Sequence, residues 1–162
     1  MQGSPLEESD YTPQFSGHET FPLRYGWLKK VYDAVVEDLK EGRERSIFYD
    51  ARAIAKFGVG KNMVTAMRHW AAQCGMAQGG GKGNDITPTE LGEKLFDDNG
   101  LDPYMEFPST AWLIHWKLAS SAEKTTWFWF FNHFSGNQFE RQQLVENLTK
   151  FARDRSWGIS SQ

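Results

Sequence analysis

Apolar positions recur at helical spacing in several separate stretches of the chain. Leu28, Val31, Tyr32, Val35, Val36 and Leu39 fall on one face. They predict a helix that starts near Pro22, a residue suited to a first helical turn, and runs to about Lys40. Thr20 reads as its N-cap, and Glu41-Gly42-Arg43 ends it. Asp50 is a good N-cap for a short second helix over 51–57, with Ile54 and Phe57 facing inward. Gly58 stops that helix, and Gly58-Val59-Gly60 forms a tight turn. A third helix follows from Lys61 to Cys74. Its apolar stripe is Met63, Val64, Met67, Trp70, Ala71 and Cys74, with Gly75 at the C′ position. Lys61, Asn62, Thr65, Arg68, His69 and Gln73 lie away from the centre of that stripe.

Beyond Gly75 the pattern changes. The run Gln78-Gly79-Gly80-Gly81-Lys82-Gly83-Asn84 predicts a glycine hairpin, with short extended pieces around Met76 and Asp85 to Thr87. Thr87-Pro88-Thr89-Glu90 has the form of a capping box with proline at the first helical position. The helix it opens carries Leu91, Leu95 and Phe96. Asp102-Pro103 begins a further helical run. Two strongly apolar helices are expected near 109–120 and 123–134, then an amphipathic helix over 140–154. Trp127 to Phe131 is aromatic all round, so it is buried on most sides, forms a dimer interface or stacks on unpaired bases.

The order of elements predicts a mainly α fold. It reads as a winged helix-turn-helix with a short β-hairpin wing, followed by an aromatic-rich helical subdomain. Residues 1–16 form a loose or docked arm, 17–100 the winged helix-turn-helix-like domain and 101–162 the helical subdomain.

Composition limits the class. Hydrophobic residues make up 40% of the chain, enough for a real core. No stretch approaches the roughly 20 apolar residues that span a bilayer, and no basic-then-apolar leader opens the chain. The single cysteine, Cys74, excludes an internal disulfide framework and a thiolate zinc cluster made by one chain. A reducing cytoplasm is the natural compartment. Net charge is -3, which argues against nucleic acid, but the charge is unevenly distributed. Residues 21–75 hold ten Lys or Arg and six Asp or Glu, a net of +4, against eight and fifteen elsewhere, a net of -7. Local sign governs the approach of a phosphate backbone to one face.

That basic segment carries the candidate chemistry. A helix-turn-helix lays its second helix in the major groove, where base edges need donors and acceptors on flexible side chains. Lys61, Asn62, Thr65, Arg68 and His69 are the groove candidates. Lys29, Lys30, Lys56 and Lys82 are placed to hold phosphates, and Arg24 is a phosphate clamp. The same topology also serves purely as a protein-contact module. The glycine run is not a nucleotide loop, because Gly81-Lys82 is followed by Gly83 and not by Ser or Thr. His18 and Glu19 are the candidate catalytic pair, each as base or ligand, against a strong structural reading in which Glu19 pairs with Arg24 and locks the arm onto the core. Asp102 is first an N-cap, with Glu106 one turn later as a conceivable metal partner. His115 reads as a core histidine and His133 as a helix C-terminal one.

Four stretches, in order, resemble the SspB-like family of bacterial DNA phosphorothioation and phage-defence proteins. They are Phe15-Ser16-Gly17-His18-Glu19-Thr20-Phe21-Pro22-Leu23-Arg24-Tyr25-Gly26-Trp27-Leu28, then Phe57-Gly58-Val59-Gly60-Lys61-Asn62-Met63-Val64 with Arg68 and Trp70. The third is Asp102-Pro103-Tyr104-Met105-Glu106 with Thr110 to His115, and the last is Trp127 to Asn132. The resemblance implies a role beside a cysteine desulfurase and ATP-using proteins in replacing a non-bridging phosphate oxygen of DNA by sulfur. It also implies a part in nicking one strand of double-stranded DNA. Members of that family are longer, so the chain reads as an N-terminal region. No cofactor is expected in this chain, with Mg²⁺ or Mn²⁺ needed only where nicking occurs. A DNA-binding module, a scaffold without DNA contact, and a complete metal-dependent nickase are the three readings left open, and a homodimer is compatible with each.

Overall fold

The computed structural model describes residues 4–42, 46–49, 51–79 and 86–158. Those residues are mainly helical, with seven α-helices and one antiparallel strand pair. The chain divides into two compact units, Ser16–Lys117 and the pair of segments Met1–Phe15 and Leu118–Gln162.

In the first unit, α1 spans Trp27–Lys40. Its inner face is Trp27, Leu28, Val31, Tyr32, Ala34 and Val35, all buried. The helix begins at Trp27 and not near Pro22. Glu19 and Thr20 take positive φ (48° and 65°) and so does Gly26 (77°). Such angles cannot continue a right-handed helix, and they fall in the region where glycine alone is unpenalised. Thr20 is therefore no N-cap, and Pro22 sits in a loop. The loop is pinned by hydrogen bonds: the Trp70 Nε1–H donates to the Phe21 carbonyl (2.9 Å), and the Phe21 N–H donates to the His18 carbonyl (2.8 Å).

Helix α2 (Ala53–Phe57) and helix α3 (Lys61–Gln73) follow a 3-10 turn at Ile47–Tyr49. Asp50, the expected cap of α2, lies outside the described residues. Ala53 and Phe57, one turn apart, are the buried face of this five-residue helix. Ile54 is about 100° round from Ala53 and is 51% exposed, so it does not face inward as the pattern suggested. Gly58 closes α2 in the left-handed conformation. On α3, Val64, Met67, Trp70 and Ala71 are buried as the periodicity requires, and Ala66 joins them with no exposed surface.

The strands β1 (Ala77–Gly79) and β2 (Ile86–Pro88) pair antiparallel, with Gln78 opposite Thr87. Lys82 and the rest of residues 80–85 lie outside the described residues. Pro88 ends β2 opposite Ala77, so it is not the first residue of a helix. The next helix, α4 (Glu90–Phe96), is capped two residues later than the capping-box reading, by Thr89. Thr89 Oγ1 accepts from the Gly92 N–H (3.0 Å) and donates to the Gly75 carbonyl (2.5 Å). One hydroxyl thus links the end of α3 to the first turn of α4. Helix α1 packs on α3, on both strands and on α4, which places the core of this unit around α1.

Residues 103–107 are not helical, and α5 (Pro108–Ser120) begins later than Pro103. Asp102 is 2% exposed. Its carboxylate accepts from the Glu106 and Phe107 N–H groups (2.8 and 3.1 Å) and from Thr110 Oγ1 (2.5 Å). Two backbone donors ahead of α5 and the Thr110 hydroxyl in its first turn favour a loop stapled to one acidic side chain over a continuous helix. Burial disfavours the Asp102 charge, yet these hydrogen bonds outweigh it and hold the carboxyl below its ordinary pKa.

In the second unit, α6 (Thr125–Asn132) and α7 (Arg141–Asp154) share an aromatic cluster. Trp129 is buried and meets Phe134 and Phe151 at 5.7 and 6.2 Å between ring centroids. The N-terminal arm docks here. Leu6 is buried, and the Tyr11 hydroxyl donates to the Ala122 carbonyl and bonds Thr125 Oγ1, both at 2.6 Å. Tyr11 and Phe15 pack on Trp157. Phe131, by contrast, is 45% exposed, so the run of rings is not uniformly buried.

Candidate nucleic-acid interface

Helix α3 places the groove candidates according to its buried stripe. With Val64, Met67 and Trp70 committed to the core, residues 61, 62, 65, 68 and 69 must point elsewhere. Lys61 and Asn62 are exposed, and Thr65, Arg68 and His69 are half-buried. Gly60 leaves the first turn without a side-chain cap, so unpaired N–H groups and the positive end of the helix dipole accompany the Lys61 ammonium. Thr65 Oγ1 donates to the Lys61 carbonyl (3.3 Å). Arg68 Nη1 donates to the Tyr49 hydroxyl (2.5 Å), and its guanidinium lies 5.2 Å from the Tyr49 ring centre. Tyr49 therefore aims Arg68. Its place beside Arg68 has no sequence signal, because it sits outside any periodic stretch.

His69 is held by packing. Its ring lies 5.6 Å from Trp70 and 6.0 Å from His18. A Cβ on Gly17 would stand 2.5 Å from His69 Nδ1, so residue 17 must lack one for the loop to lie on α3. Burial, then the charges of His18 and Arg68, push the His69 pKa below its ordinary value. Near neutral pH, His69 thus offers a hydrogen-bond donor and acceptor and not a cation.

The phosphate candidates are placed differently from one another. Lys29 pairs with Asp33 (2.6 Å) and donates to the Phe96 carbonyl (3.1 Å). Lys56 pairs with Glu37 across α1 and α2. Lys30 is exposed, and the Arg24 guanidinium lies 5.6 Å from the Trp27 ring centre. Glu19 is exposed, and no ion pair joins it to Arg24 among the described residues. His18 meets Trp70 edge-on at 5.9 Å. Asp102, bound to three donors, serves the loop before α5. Among the described residues there is no group of three or more His, Cys, Asp or Glu side chains that could hold a metal ion, and no helix long and apolar enough to cross a membrane.

Two solved structures share the fold. "SspB crystal structure" matches with a TM-score of 0.74 and 29% identity, covering 96% of this chain and 48% of that one. "Magnesium ion-bound SspB crystal structure" matches with a TM-score of 0.71 and 30% identity, covering 93% of this chain and 45% of that one. The chain thus spans a little under half the length of either. No curated protein matches it. The family model described as "Protein of unknown function (DUF4007)" matches residues 15–162, and the chain belongs to that family.

Proposed function

We propose that this chain is the DNA-binding region of a bacterial phosphorothioation and defence protein, and that it positions double-stranded DNA for strand nicking. Helices α2 and α3 act as a helix-turn-helix, and β1–β2 forms the base of its wing. The observation that carries the reading is the start of α3. There an exposed Lys61 and Asn62, with Thr65 and Arg68 behind them, stand beside a glycine turn on an uncapped helix end. Lys61 and Arg68 meet phosphates or guanine edges, and Asn62 suits adenine. Likeness to the SspB structures at about 30% identity supports the pathway, with a cysteine desulfurase and ATP-using proteins as its partners. In this reading His18 packs the loop on His69 and Trp70. The described residues supply no carboxylate cluster for Mg²⁺ or Mn²⁺, so no cutting step is assigned to them.

Anisotropy titrations of a labelled duplex test this. Affinity should fall steeply between about 50 and 200 mM salt, because each neutralised phosphate releases counterions. Salt-insensitive or absent binding would remove the reading.

A second reading has its own support. Trp112 and Trp116, one turn apart on α5, are 71% and 61% exposed. Exposed tryptophans of this kind anchor protein interfaces, so a scaffold that docks a partner protein or a second copy of the chain is the alternative. It predicts capture by purified partners that is lost in Trp112→Ser with Trp116→Ser, and no mobility shift with DNA.

A further inference from the structure

A pocket of ≈ 550 Å³ opens beside the proposed groove face, between the Ile47–Tyr49 turn and the starts of α2 and α3. Its volume lies within the roughly 300–1,000 Å³ of sites that enclose small molecules. Phe48, Tyr49 and Ile54 form an apolar wall, and Lys61, Thr65 and Arg68 supply polar groups. The wall is fixed in place. Phe48 stacks on Phe57 with ring centres 5.2 Å apart and planes 21° from parallel, and Tyr49 is bound through its hydroxyl to Arg68. Ile54, a large aliphatic side chain, is left half-exposed at this wall.

The combination selects its ligand. A phosphate alone has no use for aromatic and aliphatic walls. A purely apolar molecule gains nothing from an ammonium and a guanidinium. A paired duplex offers phosphates and base edges, but its ring faces are hidden in the stack. An unstacked nucleotide has a flat apolar face and an attached anion, which matches both halves of the pocket. We infer that the pocket takes one unstacked nucleotide of bound DNA. Its base lies against Phe48 and Tyr49, and its phosphate meets Lys61 and Arg68. Ile54 completes the wall on which the base rests. This rests on the DNA-binding reading above. Extrusion costs least where a base is already unpaired, so the site favours DNA with a mismatch, a gap or a frayed end.

The test uses a duplex with one central 2-aminopurine opposite an abasic position, beside a fully paired duplex of the same length. Binding should change the 2-aminopurine emission, and affinity should exceed that for the paired duplex by about tenfold. Ile54→Ala and Phe48→Leu should abolish the emission change and level the two affinities, leaving paired-duplex affinity within about twofold. Ile54 is exposed, so its variant folds even if Phe48→Leu does not. Equal affinities for the two duplexes, or an emission change that survives in Ile54→Ala, overturn the pocket while the groove reading stands. No binding of either duplex overturns both.

Discussion

Gly17→Ala is the substitution whose effect can be worked out most fully. Gly17 has φ +118°, and an alanine Cβ there would lie 2.5 Å from His69 Nδ1 and 2.8 Å from Cε1. Two costs follow. An L-residue at that φ is strained by about 1–3 kcal/mol. The methyl also overpacks the imidazole, for typically about 1–3 kcal/mol. The sum is about 2–6 kcal/mol, less whatever His69 recovers by turning outward from its half-buried place. The two costs separate in a double-mutant cycle. His69→Ala removes the atoms that the methyl strikes but leaves the φ strain, so the double variant should regain about 1–3 kcal/mol relative to additivity. Urea unfolding of the parent, both single variants and the double variant measures it, followed by circular dichroism. Additivity within about 0.5 kcal/mol would show that the loop at Gly17 does not press on α3. A stable Gly17→Ala would refute the loop conformation itself.

Asp102→Asn keeps the shape of the Asp102 staple and removes its charge, so it should lower the melting temperature, and Asp102→Ala should lower it more. Because the Asp102 carboxyl is held below its ordinary pKa, its stabilisation is full above about pH 4 and is lost as pH falls through the depressed value. The gap between parent and Asp102→Asn should therefore close in acid, and a gap independent of pH would contradict the staple. His69 and His133 titrate in the other part of the range. Both pKa values are lowered, chiefly by burial, so unfolding takes up protons. Stability from these two residues is complete above about pH 6.5 and declines as pH falls below it. The urea midpoint should drop between about pH 7.5 and pH 5.5, and less so in His69→Gln with His133→Gln.

Much of the first unit is legible from the chain because its signals are local. The stripe on α3, the Gly58 stop and the end of α1 at Lys40 follow from periodicity and from glycine chemistry, and the structure has each of them. The start of α1 is different. Pro22 permits a helical first turn, but the Trp70 indole binds the Phe21 carbonyl from 49 residues away, and no local pattern reports such a partner. Asp102 misleads in the same way. A side chain that caps a helix and one that closes a loop have the same identity, and only the positions of the Glu106, Phe107 and Thr110 donors decide between them. At the candidate site, the outward residues of α3 could be found by subtracting its core stripe. Tyr49 and the Phe48 wall could not, since a three-residue 3-10 turn has too few positions to show a period.

Lys61 reports whether the start of α3 meets DNA. It is exposed, and its replacement should disturb no packing. The slope of log Kobs against log salt for a paired duplex should become shallower by about 0.9 in Lys61→Gln. Affinity should fall for every sequence tested if the contact is to phosphate, and mainly at one position if it is to guanine. An unchanged slope together with unchanged affinity in Lys61→Gln and Arg68→Gln would mean that the start of α3 does not touch DNA.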